Sequence, residues 1–409
     1  MPENGLKLSI CIPTFERADF LNYLLSNLSS NIHILEFDYE IVISDNASSD
    51  LTEDVVKKYR SKLPIRYFKQ IKKLGVIQNY DFVLKQAIGE FSIYVADDDL
   101  LDLSVLNSSI FELSQMPDVG AYYAPWKIGN IDDEKPTQFF SIPNGLSFKR
   151  GSFSIFLEAI LKHHIFPEIG IFRTELLKKL SPVTRPKIVF DFFTIAKEWL
   201  SCSDVYITNQ CFYFSLADHP VGKRSQEGME QVEFMWDSYR GGLEALLGSA
   251  IQQLGQHQPQ IYRQAINQFI AIRMSVAIKI RIFKKRDRIE TYLLACRLRG
   301  LGFEQLLPLP FNQICVAAAL SYVLEHKANL KEFEQLVLLG NFDNSVPDYI
   351  KSEFGIANIK IINNLDKSFK NSVVLYGLDF FENDEMHNKK DDSNNLYFSE
   401  RFLLKVKFI

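Results

Sequence analysis

Along its N-terminal quarter the chain alternates short apolar runs with amphipathic stretches in strand–helix order. Leu8–Ile12 (LSICI) is almost continuously apolar and closes at Pro13, the pattern of a strand buried on both faces. Between Ala18 and Leu28 the apolar residues Phe20, Leu21, Leu24, Leu25 and Leu28 share one helical face. Tyr39–Ser44 (YEIVIS) repeats the buried-strand pattern and runs into the polar loop Asp45–Asp50. A helix is expected over Leu51–Tyr59, capped by Ser49 or Asp50. Ile65–Lys69 predicts a third strand, Gly75–Ala87 a third helix with Gly89 placed to stop it, and Phe91–Val95 (FSIYV) a fourth strand. Such alternation implies a mainly parallel sheet flanked by helices. Ligands of such sheets bind beyond the carboxyl ends of the strands. The loops Thr14–Arg17, Asp45–Asp50 and Asp97–Asp99 all follow strand ends, so they should meet on one rim.

Further on the pattern changes twice. From Asp118 to His219 it is irregular and rich in aromatics (Tyr122, Tyr123, Trp126, Phe139, Phe140, Phe148), as suits a mixed half that walls an acceptor site. Beyond Glu227 helical periodicity dominates to about Leu330. Gln335–Gly340, Ile359–Ile362 and Ser372–Gly377 then predict three strands of a small α/β unit, and the polar segment Glu382–Asn395 a loop. The expected domains are therefore 1–226, a helical region 227–330, and a terminal α/β unit 331–409. Leu338–Phe342 follows a strand without a G-x-G-x-x-G fingerprint, which speaks against a second nucleotide site there.

Composition narrows the class. With 47% hydrophobic and 23% charged residues the chain reads as an ordinary globular protein. A net charge of −4 gives it no overall attraction to nucleic acid. Cys11, Cys202, Cys211, Cys296 and Cys315 are scattered, odd in number and without a C-x-x-C pair, which excludes a disulfide framework and a structural zinc site. No apolar signal segment opens the sequence, and no window reaches the roughly 18 apolar residues of a membrane span. The expectation is a cytoplasmic protein able to touch a membrane surface.

Candidate chemistry begins with Asp97, Asp98 and Asp99, directly after a buried strand. Adjacent carboxylates repel one another, and a cation relieves that cost. Mg²⁺ and Mn²⁺ favour such oxygen ligands and share them with substrate phosphates. The alternative is a helix N-terminus enriched in acids. Asp45, at the end of its strand, either accepts hydrogen bonds from a base or ribose or simply closes an Asx-turn.

Taken together, Ile12–Arg17 (IPTFER), Val42–Asp50 (VISDNASSD), Gly75–Asn79 (GVIQN) and Ala96–Asp99 (ADDD) resemble the family 2 glycosyltransferases, over about residues 7–220. The wording Tyr94–Asp99 (YVADDD) is most similar to the branch that includes abequosyltransferase-like enzymes of bacterial surface polysaccharides. The resemblance implies a GT-A fold and an inverting transfer from a nucleotide-sugar. It implies that Pro13, Thr14 and Glu16 line the nucleotide, although Glu16 stands where asparagine is more frequent. Asp45 would face the base, with Asn46 in place of a frequent second acid, and Lys73, Gly75 and Asn79 would run along the donor. Asp97 and Asp99 match the ends of the D-x-D motif, with Asp98 between them; Asp99 would make the direct contact to Mg²⁺ or Mn²⁺.

An inverting enzyme needs a general base for the acceptor hydroxyl. In the family that acid opens a helix on the acceptor side, and Asp191 in Val189–Phe193 (VFDFF) matches it, with Glu198 and Asp204 in reserve. The other reading of Asp191 is a helix N-cap. His219, followed by Lys223 and Arg224, stands where relatives place a further metal or phosphate ligand. His163 and His164 read as structure. Between Arg273 and Arg299 nine Lys and Arg stand against Asp287 and Glu290, interleaved with isoleucines; this surface either docks on anionic lipid carrying the acceptor or is a solvated face. Two competing functions are a sugar-nucleotidyltransferase, which would want a glycine-rich first loop that Pro13–Arg17 lacks, and an inactive GT-A-like scaffold, against which the intact acids 45, 97, 99 and 191 speak.

Overall fold

The computed structural model describes residues 5–130, 133, 135–180, 190–217, 219–222, 232–255, 258–326, 335–340, 342, 345–362, 372–376 and 395–399. Lys223 and Arg224, and the 382–395 segment except Asn395, lie outside the described residues. The chain divides into two compact units, residues 1–231 with 235–269, and residues 232–234 with 270–409.

The first unit opens in the expected order: β1 (Leu8–Thr14), α1 (Ala18–Asn31), β2 (Tyr39–Asp45), α2 (Thr52–Tyr59), β3 (Ile65–Lys69), α3 (Val76–Lys85) and β4 (Phe91–Tyr94). All five apolar residues assigned to the inner face of α1 are buried. One boundary differs: β1 continues through Pro13, in register with Ser44 of β2. Thr14 C=O accepts from Asn46 N–H on the β2 side, and Cys11 C=O accepts from Val95 N–H on the β4 side. Pro13 therefore faces the β4 side, where the ladder has already ended at Cys11 and Tyr94. No donor is needed there, so proline's missing N–H costs nothing. Gly89 turns the chain into β4 so closely against β1 that a Cβ would lie 2.8 Å from the backbone at Leu8 and Ser9.

The unit continues with β5 (Leu100–Leu101), α4 (Leu103–Ser114), β6 (Val119–Tyr123), β7 (Trp126–Gly129), β8 (Thr137–Gln138), β9 (Leu146–Phe148), α5 (Phe153–His163), β10 (Gly170–Arg173), α6 (Thr174–Lys179), α7 (Asp191–Cys202), β11 (Asp204–Ile207), β12 (Tyr213–Leu216) and α8 (Trp236–Ala250). Eight strands form one sheet in the order β3-β2-β1-β4-β10-β6-β11-β9. Its first half is parallel; β10 enters antiparallel to both β4 and β6. A smaller sheet, β5-β12-β7-β8, brings Tyr213 at the start of β12 opposite Leu101, two residues past the acidic triplet.

Helix α9 (Gln258–Phe283) leads to α10 (Arg288–Gly300), α11 (Phe311–His326), β13 (Gln335–Leu339), α12 (Ser345–Phe354), β14 (Ile359–Ile362), β15 (Ser372–Tyr376) and β16 (Asn395–Ser399). The second unit's sheet is parallel throughout, ordered β14-β13-β15-β16. Three of these strands follow the apolar runs of the sequence. The fourth, β16, begins where a loop was expected, and its NLYFS segment is too short to separate from a loop by periodicity.

Candidate active site

Hydrogen bonds tie the three strand-end loops together. Asp45, fully buried, ends β2; its Oδ1 accepts from Ser48 N–H at 2.8 Å and its Oδ2 from the Tyr67 hydroxyl at 2.6 Å. Burial, then that bond, push the Tyr67 hydroxyl far above its usual range, so it stays a donor. Asp45 thus closes its own loop onto Ser48, three residues on rather than the two of an Asx-turn, and β3 adds a second clamp that the sequence did not announce. Glu16 and Ala47 both adopt left-handed backbone, with φ of 53° and 64°. Such strain persists only where surrounding contacts impose it. Here Glu16 N–H donates to Ser48 Oγ at 2.8 Å, while Glu16 Oε1 accepts from Ser49 N–H and Oγ, each at 2.8 Å. Glu16 therefore binds the neighbouring loop.

Asn46 grips the approach to α3: its Oδ1 accepts from Leu74 N–H at 2.6 Å and its Nδ2 donates to Leu74 C=O at 3.0 Å. Asn79, on α3, accepts from Ser44 Oγ at 2.6 Å and donates to Ser44 C=O at 3.1 Å. Gly75 precedes α3 as its N-cap, and the ammonium of exposed Lys73 lies 3.9 Å from the Phe15 ring centre. Asn46 and Asn79 are thus positioning residues of the loop frame, whereas Lys73 stands at its open side.

The acidic triplet is nearly sealed from water. Thr14 Oγ1 donates to Asp97 at 2.7 Å, and Arg17 Nη1 reaches Asp97 at 2.8 Å and Asp98 at 3.1 Å. Asp99 accepts from the Tyr213 hydroxyl at 2.8 Å and from Leu216 N–H at 3.1 Å. One guanidinium thus pairs with two of the three carboxylates. Burial is the main reason that Asp97 is lifted to about 6, only partly offset by Arg17, and Asp99 to about 7, with Asp98 adding to the rise. Hard carboxylate oxygens with excess negative charge fit Mg²⁺ or Mn²⁺, which use one or two carboxylates together with phosphate oxygens. Among the described residues no three acidic, His or Cys side chains form a ready cage, so phosphates and water would complete the coordination.

His219 packs its ring 4.5 Å from Phe20 and 5.0 Å from Tyr23, and Nδ1 accepts from Val221 N–H at 3.2 Å. Burial lowers its pKa, Asp98 opposes this and Arg17 reinforces it, so the imidazole is neutral at pH 7. Its Nε2 is buried and has no hydrogen-bond partner among the described residues. Arg17 and Tyr213 escaped sequence reading, because each meets its acid across a separation that no local pattern encodes.

Asp191 is the first residue of α7 and the acid of its first turn; the N-cap position itself is Phe190. Asp191 lines a cavity of about 240 Å³ together with Tyr80, Tyr123, Glu168, Phe192 and Trp199. The Tyr80 ring also lies 4.8 Å from that of Tyr94, two residues before Ala96 and the triplet. Of the reserve acids, Glu198 lines the same cavity, whereas Asp204 is taken by Lys149 at 2.7 Å and Arg150 N–H at 2.8 Å. His164 stacks 4.9 Å from Phe269, in keeping with a structural role. Most of the aromatic wall is core; Trp126 stacks on Phe139 at 4.2 Å, and only Tyr123 of the six lines this cavity.

The family model "Glycosyl transferase family 2" matches residues 9–181. Over 96 residues the chain is 35% identical to the abequosyltransferase RfbV of Salmonella typhimurium, 23% of this chain and 28% of that protein. Over 105 residues it is 30% identical to the poly(ribitol-phosphate) beta-N-acetylglucosaminyltransferase TarS of Staphylococcus aureus, 25% of this chain and 18% of that protein. The crystal structure of TarS with UDP-GlcNAc covers 76% of this chain and 90% of its own, at 18% identity and a TM-score of 0.46. Over 181 residues it is 30% identical to the GalNAc(5)-diNAcBac-PP-undecaprenol beta-1,3-glucosyltransferase of Campylobacter jejuni, 40% of this chain and 55% of that protein. The matched segment thus spans about half or less of these relatives.

Proposed function

Residues 9–181 belong to glycosyltransferase family 2, and on that premise we propose that the chain transfers a sugar from a nucleoside-diphosphate-sugar to a hydroxyl acceptor, with inversion at the anomeric carbon, in the synthesis of a bacterial surface polysaccharide. The observation that carries this reading is the meeting of the Thr14–Arg17, Asp45–Asp50 and Asp97–Asp99 loops at the ends of adjacent parallel strands. A nucleotide would lie along Pro13, Thr14 and Glu16, above the buried Asp45, and its diphosphate would reach Asp97–Asp99. Mg²⁺ or Mn²⁺ bound there would offset the charge that develops on the departing diphosphate. Arg17 keeps the acids folded inward and balances part of their charge until phosphate arrives. His219, neutral and accepting at Nδ1, would carry its proton on the buried Nε2 and donate it to a phosphate at the same end rather than ligate a metal.

Asp191 takes the acceptor proton. The acceptor oxygen attacks the anomeric carbon, the bond to the diphosphate oxygen breaks with its electron pair, and the proton passes to the Asp191 carboxylate. The names of the relatives point to saccharide, polyol-phosphate and polyprenyl-diphosphate-linked acceptors, so a saccharide or lipid-linked saccharide is the acceptor class. In the 273–299 stretch Arg281 pairs with Glu290, Lys284 and Arg286 with Glu233, Arg288 with Glu353, and Arg299 with Glu304. Any membrane contact through it is therefore weak.

Thermal shift with UDP, GDP, CDP and dTDP, each with and without Mn²⁺, tests the donor site. One nucleotide should raise the melting temperature in a Mn²⁺-dependent way, and Asp99→Ala should abolish the increment. In the same series Asp191→Asn should keep that nucleotide shift while transfer falls by about 10²–10⁴. The absence of any nucleotide shift in the wild type would favour the scaffold reading instead.

A further inference from the structure

Asp191 shares its cavity with two groups that the donor chemistry leaves unused. Tyr123 ends β6 and is only 1% exposed, yet its hydroxyl has no hydrogen-bond partner among the described residues. A buried phenol normally finds one. Glu168 lies on the connection into β10, two residues before Gly170, and is partly buried on the same wall. Half-buried Phe192 adds an aromatic surface, and the ring of Trp199 stacks on Phe172 behind it at 5.2 Å.

The charge around the cavity narrows what it can take. Among the described residues four acids line it, Asp81, Glu168, Asp191 and Glu198, against Lys85 and Lys178, both of which are exposed. An anionic group would meet net repulsion, whereas a neutral polyhydroxyl group offers donors to the carboxylates and a face to the aromatic rings.

We propose that the Tyr123 hydroxyl and the Glu168 carboxyl are specificity-determining contacts that hold the hydroxyls of a neutral sugar beside Asp191. The proposal rests on reading Asp191 as the base. Burial, and then the charge of Asp191, lift the Glu168 carboxyl to about 7. Near neutral pH it therefore both donates and accepts, which suits sugar hydroxyls. The phenol gains in the complex the partner it lacks among the described residues.

Saturation-transfer NMR on the full chain tests this with the octyl β-glycosides of glucose, galactose, N-acetylglucosamine and glucuronic acid. At least one neutral glycoside should bind, more tightly than the glucuronide. Its Kd should rise about tenfold in Tyr123→Phe and in Glu168→Ala, with Glu168→Gln recovering most of the loss. Tyr123→Phe should melt no lower than the wild type, since it removes an oxygen that bonds nothing among the described residues, and so serves as the variant whose folding is secure. Equal affinities in wild type and variants, a preference for the glucuronide, or no bound neutral glycoside would each overturn the assignment. Asp191→Asn separates the two readings. If it retains transfer, the base assignment fails; if it loses transfer while Tyr123→Phe binds the glycosides normally, only the present proposal falls.

Discussion

At the scale of single residues, the site is built from carboxyls whose protons are held by burial. Glu168 has the clearest consequence for stability. Its carboxyl rises from 4.5 to about 7 on folding, so the folded chain holds that proton more tightly than the unfolded chain does. The stabilisation is complete below about pH 4.5 and is lost as the pH rises through about 7. Glu168→Gln, which never ionises, should match the wild type near pH 4.5 and exceed it at pH 8. The gain should be about 2 kcal/mol, less than the full shift implies because the carboxyl is partly exposed. Urea titrations at the two pH values check this; equal stability at pH 8 would show that Glu168 ionises without cost in the folded protein.

At the scale of elements, the donor rim is a set of loops cross-braced by short polar side chains rather than packed by apolar ones. Asn46 is the main brace, satisfying both the N–H and the C=O of Leu74 from across the rim. Asn46→Ala would leave two partly buried backbone groups without this partner, at a cost of about 1–2 kcal/mol. It should also weaken nucleotide binding, because the 71–75 loop would lose its tether to β2. Denaturation and nucleotide-induced thermal shift should fall together; loss of stability with an unchanged shift would mean that this loop does not border the donor. Much of the element level was legible in the sequence: nearly continuous apolar runs marked β1, β2 and β4, and the polar residues after them marked the loops. Local periodicity could not show that β1 runs through Pro13, that β10 enters the sheet antiparallel, or that Arg17 and Tyr213 close on the triplet. Those features depend on pairings between distant segments. Asp191 was found through the resemblance, whereas Glu168 carries no signal beyond a polar residue ahead of a strand.

At the scale of the whole molecule, the distribution of charge bears on where the chain works. The sequence presents nine cations between Arg273 and Arg299 against two acids, which by count alone suggests a lipid-binding surface. Folding brings acids to them from outside the stretch. Glu233, only 1% exposed, receives Lys284 and Arg286; Glu353 receives Arg288; Glu304 receives Arg299. Arg281, itself buried, turns inward to Glu290. Each cation near an anionic leaflet contributes about 1 kcal/mol of attraction, but only when its charge is not already neutralised. With six of the nine within reach of acids, Lys285 sharing Glu353 with Arg288, the remaining field is reduced and is screened within about 8 Å at physiological salt. Co-sedimentation with vesicles of phosphatidylcholine alone, and with about a third phosphatidylserine, should therefore differ by no more than about a hundredfold in partitioning at 0.15 M salt. A larger, salt-sensitive preference for the anionic vesicles would mean that the pairs open at the surface and that the stretch docks the chain on the membrane. A small difference would leave recognition of a lipid-linked acceptor to its sugar, within the cavity beside Asp191.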